Sequence, residues 1–283
     1  MATYKPHQIA EITVGQGIKK AHNQVVTVLV LSFLAGAYIA LGFLLDIRVI
    51  ASAPAEWGSI TNFIGAALFP VGLVLVLLAG GELLTGNMMA VSLARISRRI
   101  STWAWLRNLI LVTLGNFVGA MFVAYAFGHV VGLTAEGAYL EKLVEMAGHK
   151  IDDGFLAAFV SGIGCNWLVA LAVWLSYGSD TMSGKILGIW FPTMAFVAIG
   201  FQHVVANMFL IPAAIFEGYY SWGDYFINFV PVWLGNLTGG AVFVGCAYWI
   251  AYLKDQPASD STAKTAVKQE LAHSATSVDQ HAI

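Results

Sequence analysis

Charged residues are scarce in this 283-residue sequence, at 11% of the chain, where soluble globular proteins usually carry about 25%. So few charges cannot coat the surface of a water-soluble domain. Hydrophobic residues make up 58% of the chain, and the mean hydropathy is +0.74. The composition therefore excludes a soluble globular domain and predicts an all-α membrane protein.

Cysteines are also rare: Cys165 and Cys246 both lie inside apolar runs, where a small packing residue is the expected role. No second histidine, cysteine or carboxylate accompanies His203 at metal-ligand spacing. The absence of a paired serine, lysine or aspartate in the spans argues against an intramembrane protease. We therefore expect no metal site, no cofactor, no enzymatic activity and no nucleic-acid partner.

Six apolar runs follow one another along the chain, and a membrane-spanning helix needs about 20 such residues. The runs cover residues 24–45, 61–94, 103–131, 154–177, 186–216 and 227–253. Residues 24–253 are thus expected to form a six-span domain. An amphipathic segment precedes it at 1–23, and a polar tail, which we expect to be disordered, follows at 254–283.

Lysine and arginine are distributed unequally between the two sides of the six predicted spans. The side that holds both termini collects 11 of the 14, whereas the other side has only Arg48, Lys142 and Lys150. By the positive-inside rule, this bias predicts a multi-pass protein of the cytoplasmic (cell) membrane with both termini in the cytoplasm.

The second and fifth runs are too long for one span, with 34 and 31 residues. As helices they would measure about 51 and 46 Å, against a hydrocarbon core of about 30 Å. Each run contains a glycine-rich, polar interruption, at residues 80–87 and 200–207. We therefore predict that both helices are broken.

An internal repeat supports this prediction. Residues 85–89 resemble residues 205–209, and residues 114–119 resemble residues 234–239, both at an offset of 120. Repeats of three spans, at about 24–131 and 154–253, must cross the membrane in opposite directions, which predicts inverted repeats with a site at their interface. The glycine pairs at a spacing of four in residues 115–119 and 235–239 predict close helix packing, either within or between protomers.

The interruptions should line a pathway, because non-helical backbone at membrane depth needs a protein or water-filled surrounding. Helices that restart before Met88 and Met208 would direct free N–H groups toward an anion, and Asn87 and Asn207 would cap these restarts in preference to contacting the substrate. His203, the only histidine in the middle of a span, is expected to be mostly neutral and to donate a hydrogen bond in the pathway.

Glu82 is the carboxylate nearest the second break. A helix-end residue reaching the cytoplasmic interface is the interpretation we favour for it over a role in the pathway.

The two interruptions resemble signatures of the formate/nitrite transporter family, whose members are pentameric, aquaporin-like anion channels, and the similarity extends over nearly all of residues 5–253. The resemblance implies that the chain is a homopentameric formate channel in the lipid bilayer, with His203 as the central pore histidine and Thr85 opposite it. It further implies two apolar constrictions and polar pathway contacts. These residues are Phe69, Leu73 and Phe196 for the outer constriction, Leu84 for part of the inner one, and Lys150, Asn166, Asn87, Asn207 and Gln202 for the pathway.

One position departs from the family pattern, because many members carry glutamate where this chain has Gln202. The resemblance to the pore is therefore closer than the resemblance to any proton coupling. Nitrite or hydrosulfide is the alternative substrate, and an ammonium or neutral-solute channel is a second class. Lys150 favours an anion, since an ammonium pathway should attract cations.

Overall fold

The computed structural model describes residues 3–255, so the predicted tail lies outside the described residues apart from its first two. Helices account for almost all of this range, and no β-strand occurs in it. The helices are α1 (Pro6–His22), α2 (Val25–Ile50), α3 (Ser59–Leu68), α4 (Val71–Val74), α5 (Leu84–Ile96), α6 (Thr102–Phe122), α7 (Gly137–Ile151), α8 (Phe155–Tyr177), α9 (Met182–Ile199), α10 (Val204–Phe216), α11 (Trp222–Thr238) and α12 (Ala247–Tyr252).

Wider π-helical turns lengthen three of these helices, at Leu75–Gly80 after α4, Val123–Val130 after α6 and Gly239–Cys246 between α11 and α12. With these turns included, the described residues contain six helices long and apolar enough to cross a membrane. They are Val25–Ile50, Ser59–Gly80, Thr102–Val130, Phe155–Tyr177, Met182–Ile199 and Trp222–Tyr252. The predicted all-α, six-span class is confirmed.

The second and fifth spans are broken, as the sequence predicted, but the breaks are shorter than the predicted interruptions. Gly80 and Gly200 adopt φ angles of 104° and 88°, which end the preceding helices at equivalent positions. Only residues 81–83 and 200–203 are then non-helical, because α5 resumes at Leu84 and α10 at Val204. The helices therefore restart four residues earlier than the predicted positions before Met88 and Met208.

Two inverted repeats of three spans build the molecule, α1 to α6 and α7 to α12. In each repeat the first long span packs closely on the third, α2 on α6 and α8 on α11. Gly119 lies against the carbonyl of Phe33, and Gly235 lies against the carbonyl of Phe159. A side chain at either glycine would collide with backbone, so the predicted close packing of these glycines occurs within one protomer.

The half-helices α5 and α10 lie at the centre of the protein. Every residue of α5 from Leu84 to Ala94 is buried, as is every residue of α10 from Val204 to Ala214. Helix α1 packs along α5, and α7 packs along α10, so each half-helix has a short amphipathic helix beside it. This arrangement brings both breaks, with their polar residues, into the protein interior.

Candidate functional site

His203 is the last residue before α10, and its side chain is buried. Its Nδ1 accepts a hydrogen bond of 3.0 Å from the backbone N–H of Ala206, so the imidazole caps the helix. Its Nε2 lies 3.1 Å from Oγ1 of Thr85, in the first turn of α5. Because Nδ1 accepts, the neutral ring carries its proton on Nε2, which makes Nε2 the donor at the centre of the site.

An aromatic series leads away from the imidazole. The ring of Phe196 stacks on His203 at 5.5 Å between centroids, and Phe69 meets Phe196 edge-on at 5.6 Å. Phe69, Leu73, Leu84 and Phe196 are all at most 3% exposed. The structure thus places two of the predicted constriction residues in one continuous stack with the histidine, and their role in a pathway stays a prediction.

One asparagine from the third span of each repeat holds the start of the half-helix. Oδ1 of Asn116 accepts the N–H of Leu84 at 2.8 Å, and Oδ1 of Asn236 accepts the N–H of Val204 at 2.9 Å. Their amide nitrogens donate to the carbonyls of Glu82 and Gln202, at 2.9 and 3.0 Å. One side chain therefore satisfies both edges of each break, so the first N–H of each half-helix is already bonded and is not free for an anion.

The predicted capping role of Asn87 and Asn207 is wrong, because both side chains lie a full turn inside their helices. Nδ2 of Asn87 donates to Oε2 of Glu82 at 2.7 Å, and Nδ2 of Asn207 donates to Oε1 of Gln202 at 2.7 Å. The same nitrogens donate at 2.9 Å to two further asparagines on the third spans, Asn108 and Asn228. These amides instead hold the side chains of Glu82 and Gln202, which precede the half-helices.

Glu82 is only 4% exposed, so the preferred interpretation of it as an interfacial helix-end residue is also wrong. Its Oε2 lies 2.9 Å from Nζ of Lys20 on α1. In the other repeat, Gln202 donates through Nε2 to Asp153 at 2.7 Å and to the carbonyl of Lys150 at 3.1 Å. The two breaks thus share one hydrogen-bond pattern but differ in charge.

Lys150 lies in the last turn of α7 and reaches back over the break in the fifth span. Its ammonium donates to the carbonyls of Gly200 at 2.8 Å and Phe201 at 3.3 Å. Burial lowers the pKa of Lys150, and the neighbouring Asp153 partly offsets this effect. The structure therefore places a cationic group against Gly200, three residues before the histidine in the chain.

Asn166 on α8 is fully buried beside Thr85. Its Nδ2 donates to the carbonyls of Thr85 at 3.2 Å and Asn236 at 2.7 Å, which ties α8 to α5 and to α11. Its Oδ1 has no hydrogen-bond partner among residues 3–255, and the same holds for Oδ1 of Asn87 and of Asn207. Unpaired acceptors of this kind are rare in protein interiors and are available to water or to a passing protonated group.

Six residues that hold the site together were not singled out by sequence reasoning as site residues: Lys20, Asn108, Asn116, Asp153, Asn228 and Asn236. The offset of 120 pairs Asn108 with Asn228 and Asn116 with Asn236. Asparagines at matching positions of two spans were therefore a usable signal. Nothing local marked Lys20 or Asp153, because their partners lie 62 and 49 residues away.

Comparison with known proteins gives consistent matches over most of the chain. The family model described as "Formate/nitrite transporter" matches residues 7–250. A protein of Bacillus thuringiensis named formate channel BtFdhC is 54% identical over 254 residues, which cover 90% of this chain and 98% of the relative. A Bacillus subtilis protein named uncharacterized transporter YrhG is 59% identical, over 90% and 96% of the two chains.

Solved structures show the same architecture. A structure named "FNT family ion channel" matches with a TM-score of 0.80 and 31% identity, and the match covers 86% of this chain and 98% of the other. A structure named "Pentameric formate channel with formate bound" matches with a TM-score of 0.70 and 29% identity, over 81% and 98% of the two chains.

Proposed function

Because the chain belongs to the formate/nitrite transporter family, whose members are channels and transporters rather than enzymes, we propose that it conducts formate across the cell membrane. The observation that carries this proposal is the contact at the centre of the fold, in which Nε2 of His203 donates to the hydroxyl of Thr85 and the hydroxyl proton has no other acceptor among residues 3–255. A hydroxyl donor held by an imidazole in an apolar surrounding suits a small monovalent anion. The name of the 54% identical relative, formate channel, supports formate in particular.

We propose a path that begins at Lys150, passes Phe69, Leu73 and Phe196, and reaches His203. Lys150 attracts the anion electrostatically, and the aromatic constriction requires it to shed water. Thr85 and Nε2 of His203 then replace part of the lost hydration, and the unpaired Oδ1 atoms of Asn166 and Asn207 are available along the path to water or to the protonated acid. Leu84 forms the constriction on the other side, beyond which lie Asn87 and Glu82.

We further propose that His203 transfers a proton to formate during passage. The helix cap adds a condition, because an imidazolium would need a proton on Nδ1, which already accepts the N–H of Ala206. Protonation of the ring at Nδ1 would break this hydrogen bond at a cost of about 1 kcal/mol or more. Proton transfer to formate through His203 therefore requires that the charge of the anion compensates for the loss of this hydrogen bond.

Assembly and orientation belong to the same proposal. A homopentamer is supported by the 29% identical structure, which is named a pentameric formate channel, and each protomer would contain its own pore. The side that holds 11 of 14 lysines and arginines supports cytoplasmic termini. We propose residues 24–253 as the transport domain, with 1–23 as a cytoplasmic amphipathic segment and 254–283 as a disordered cytoplasmic tail.

Flux in proteoliposomes tests the proposed substrate. Formate, nitrite, hydrosulfide and ammonium are supplied separately to vesicles that contain the protein, and entry is followed by light scattering. We expect formate to enter fastest among the four. Faster entry of nitrite or hydrosulfide would support an anion pore with a different preferred substrate. Ammonium entry without formate entry would contradict the proposal.

A further inference from the structure

The two breaks are related by the internal repeat, but the charges beside them are not. Residue 82 is a glutamate and residue 202 a glutamine, although each accepts a hydrogen bond from the equivalent asparagine at 2.7 Å. Each break also has one lysine from the flanking amphipathic helix, Lys20 on α1 and Lys150 on α7. The two breaks therefore share their backbone geometry, but only the first has a carboxylate at the position that accepts the asparagine's hydrogen bond.

Lys20 is directly neutralised. Its Nζ lies 2.9 Å from Oε2 of Glu82, and the two side chains are 16% and 5% exposed. A largely buried ion pair of this kind presents little net charge to an arriving anion.

Lys150 has no such partner: none of the four ion pairs found in residues 3–255 includes it. Its ammonium bonds to the backbone carbonyls of Gly200 and Phe201, which carry no net charge. The acid on this side, Asp153, accepts a hydrogen bond from Nε2 of Gln202 at 2.7 Å, so the amide lies between the carboxylate and the break. The positive charge of Lys150 is thus less completely compensated than that of Lys20.

We infer that the two mouths of the pore bind a small anion unequally, the Lys150 mouth more tightly, and that Gln202 is the residue that creates the difference. This inference rests on the proposed function. Glutamate at position 202 would place a carboxylate beside Lys150 in the way that Glu82 lies beside Lys20, and would make the two mouths alike. Gln202 therefore determines how much more tightly the Lys150 mouth holds the anion than the Lys20 mouth does.

A passive pore constrains how this asymmetry is observed. At equal pH and zero membrane potential, the ratio of maximal rate to half-saturating concentration must be the same in both directions, or the pore would pump. A lower half-saturating concentration at the Lys150 mouth must therefore accompany a proportionally lower maximal rate. Measuring the two parameters together separates binding asymmetry from differences in the amount of protein.

The experiment uses formate uptake into membrane vesicles of both orientations, at equal pH and with the potential held at zero. For the parent we expect a half-saturating concentration about fivefold lower when formate enters at the Lys150 mouth, the size of effect expected from one partly exposed charge. In the double variant Gln202→Glu, Asp153→Asn the difference should fall below about twofold. The second substitution removes the repulsion that Asp153 would exert on a new carboxylate.

Asp153→Asn alone is the matched control, because it leaves Lys150 without a carboxylate and should keep the difference. Lys150→Gln should abolish the difference by raising the half-saturating concentration at that mouth only, which provides a second test if the double variant does not fold. Equal half-saturation at both mouths of a parent that conducts formate would overturn the inference alone. A parent that conducts no formate would overturn the proposed function, and the inference with it.

Discussion

Because His203 lies at the start of α10, its two ring nitrogens have different roles. Nδ1 is fixed by the N–H of Ala206, so the ring cannot rotate without losing the cap. Nε2 is thereby held toward Thr85, which lies 118 positions earlier in the sequence. A residue at a helix start thus serves as both a structural acceptor and a donor in the proposed path.

His203→Asn tests whether the ring lends a proton. Asparagine is a favourable capping residue and retains an amide donor, so the variant should fold and conduct anions. It cannot exchange a proton, so formate uptake should lose the increase at falling pH that we expect of the parent. Initial uptake rates between about pH 5 and pH 8, the range in which an unperturbed histidine changes charge, check this. Nitrate, the anion of a strong acid, is the comparison and should be carried poorly. An unchanged pH profile together with rapid nitrate entry would reduce His203 to a selectivity or structural residue.

Phe196→Ala tests the apolar constriction. Removal of the ring that lies between Phe69 and His203 should increase anion flux and weaken selectivity among anions, because water need no longer be shed completely. The cavity should also cost about 3 to 5 kcal/mol of stability. Phe209→Ala, at a fully buried ring that packs on Phe43, is the matched control and should lose stability without a change in selectivity. Equal selectivity in the two variants would assign Phe196 to packing.

At the scale of the elements, both half-helices end in the same turn. After α5, the N–H of Arg98 bonds to the carbonyl of Arg95 and the N–H of Arg99 to that of Ala94. After α10, Gly218 and Tyr219 form the equivalent bonds. This turn requires a left-handed residue, and Gly218 adopts a φ of 84° without strain whereas Arg98 is held at 58°. The first repeat therefore contains a backbone strain that the second avoids.

Arg98→Gly should consequently stabilise the protein by about 0.5 to 1 kcal/mol, since relief of strain exceeds the extra freedom that glycine gains in the unfolded chain. Gly218→Ala should destabilise it by a similar amount. Thermal unfolding of the purified protein in detergent measures both changes, and Arg98→Ala, which loses the charge but keeps a Cβ in the left-handed conformation, controls for the loss of the charge. A lower midpoint for Arg98→Gly than for the parent would show that the arginine side chain contributes more than its backbone costs.

At the scale of the whole molecule, orientation is the property to test. Gly15 on α1 and Gly154 before α8 are exposed and have open space where a side chain would begin, so both accept cysteine without distortion. In a variant without Cys165 and Cys246, we expect an impermeant thiol reagent applied to intact cells to label Gly154→Cys but not Gly15→Cys. Permeabilised cells, in which both should react, provide the control. Labelling of both positions from outside would contradict the three-plus-three topology.

The sequence alone determined the features that depend on short stretches of chain. Composition and run length established six spans, the excess length of two runs established their breaks, and the offset of 120 established the repeat. These features can be recognised in the sequence because the thickness of the bilayer core and the rise of a helix together set a span of about 20 neighbouring residues. His203 was identifiable for the same reason, as an ionisable group in an otherwise apolar segment.

Only the tertiary structure decided which polar groups meet. Asn116 rather than Asn87 holds the start of α5, through a hydrogen bond that spans 32 positions, and Lys20 reaches Glu82 across 62. The break at residues 81–83 is short because an amide from another helix satisfies it, and no local pattern encodes that amide's direction. Buried polar groups take whatever partner the packing presents, so their pairing follows from the fold rather than from spacing along the chain.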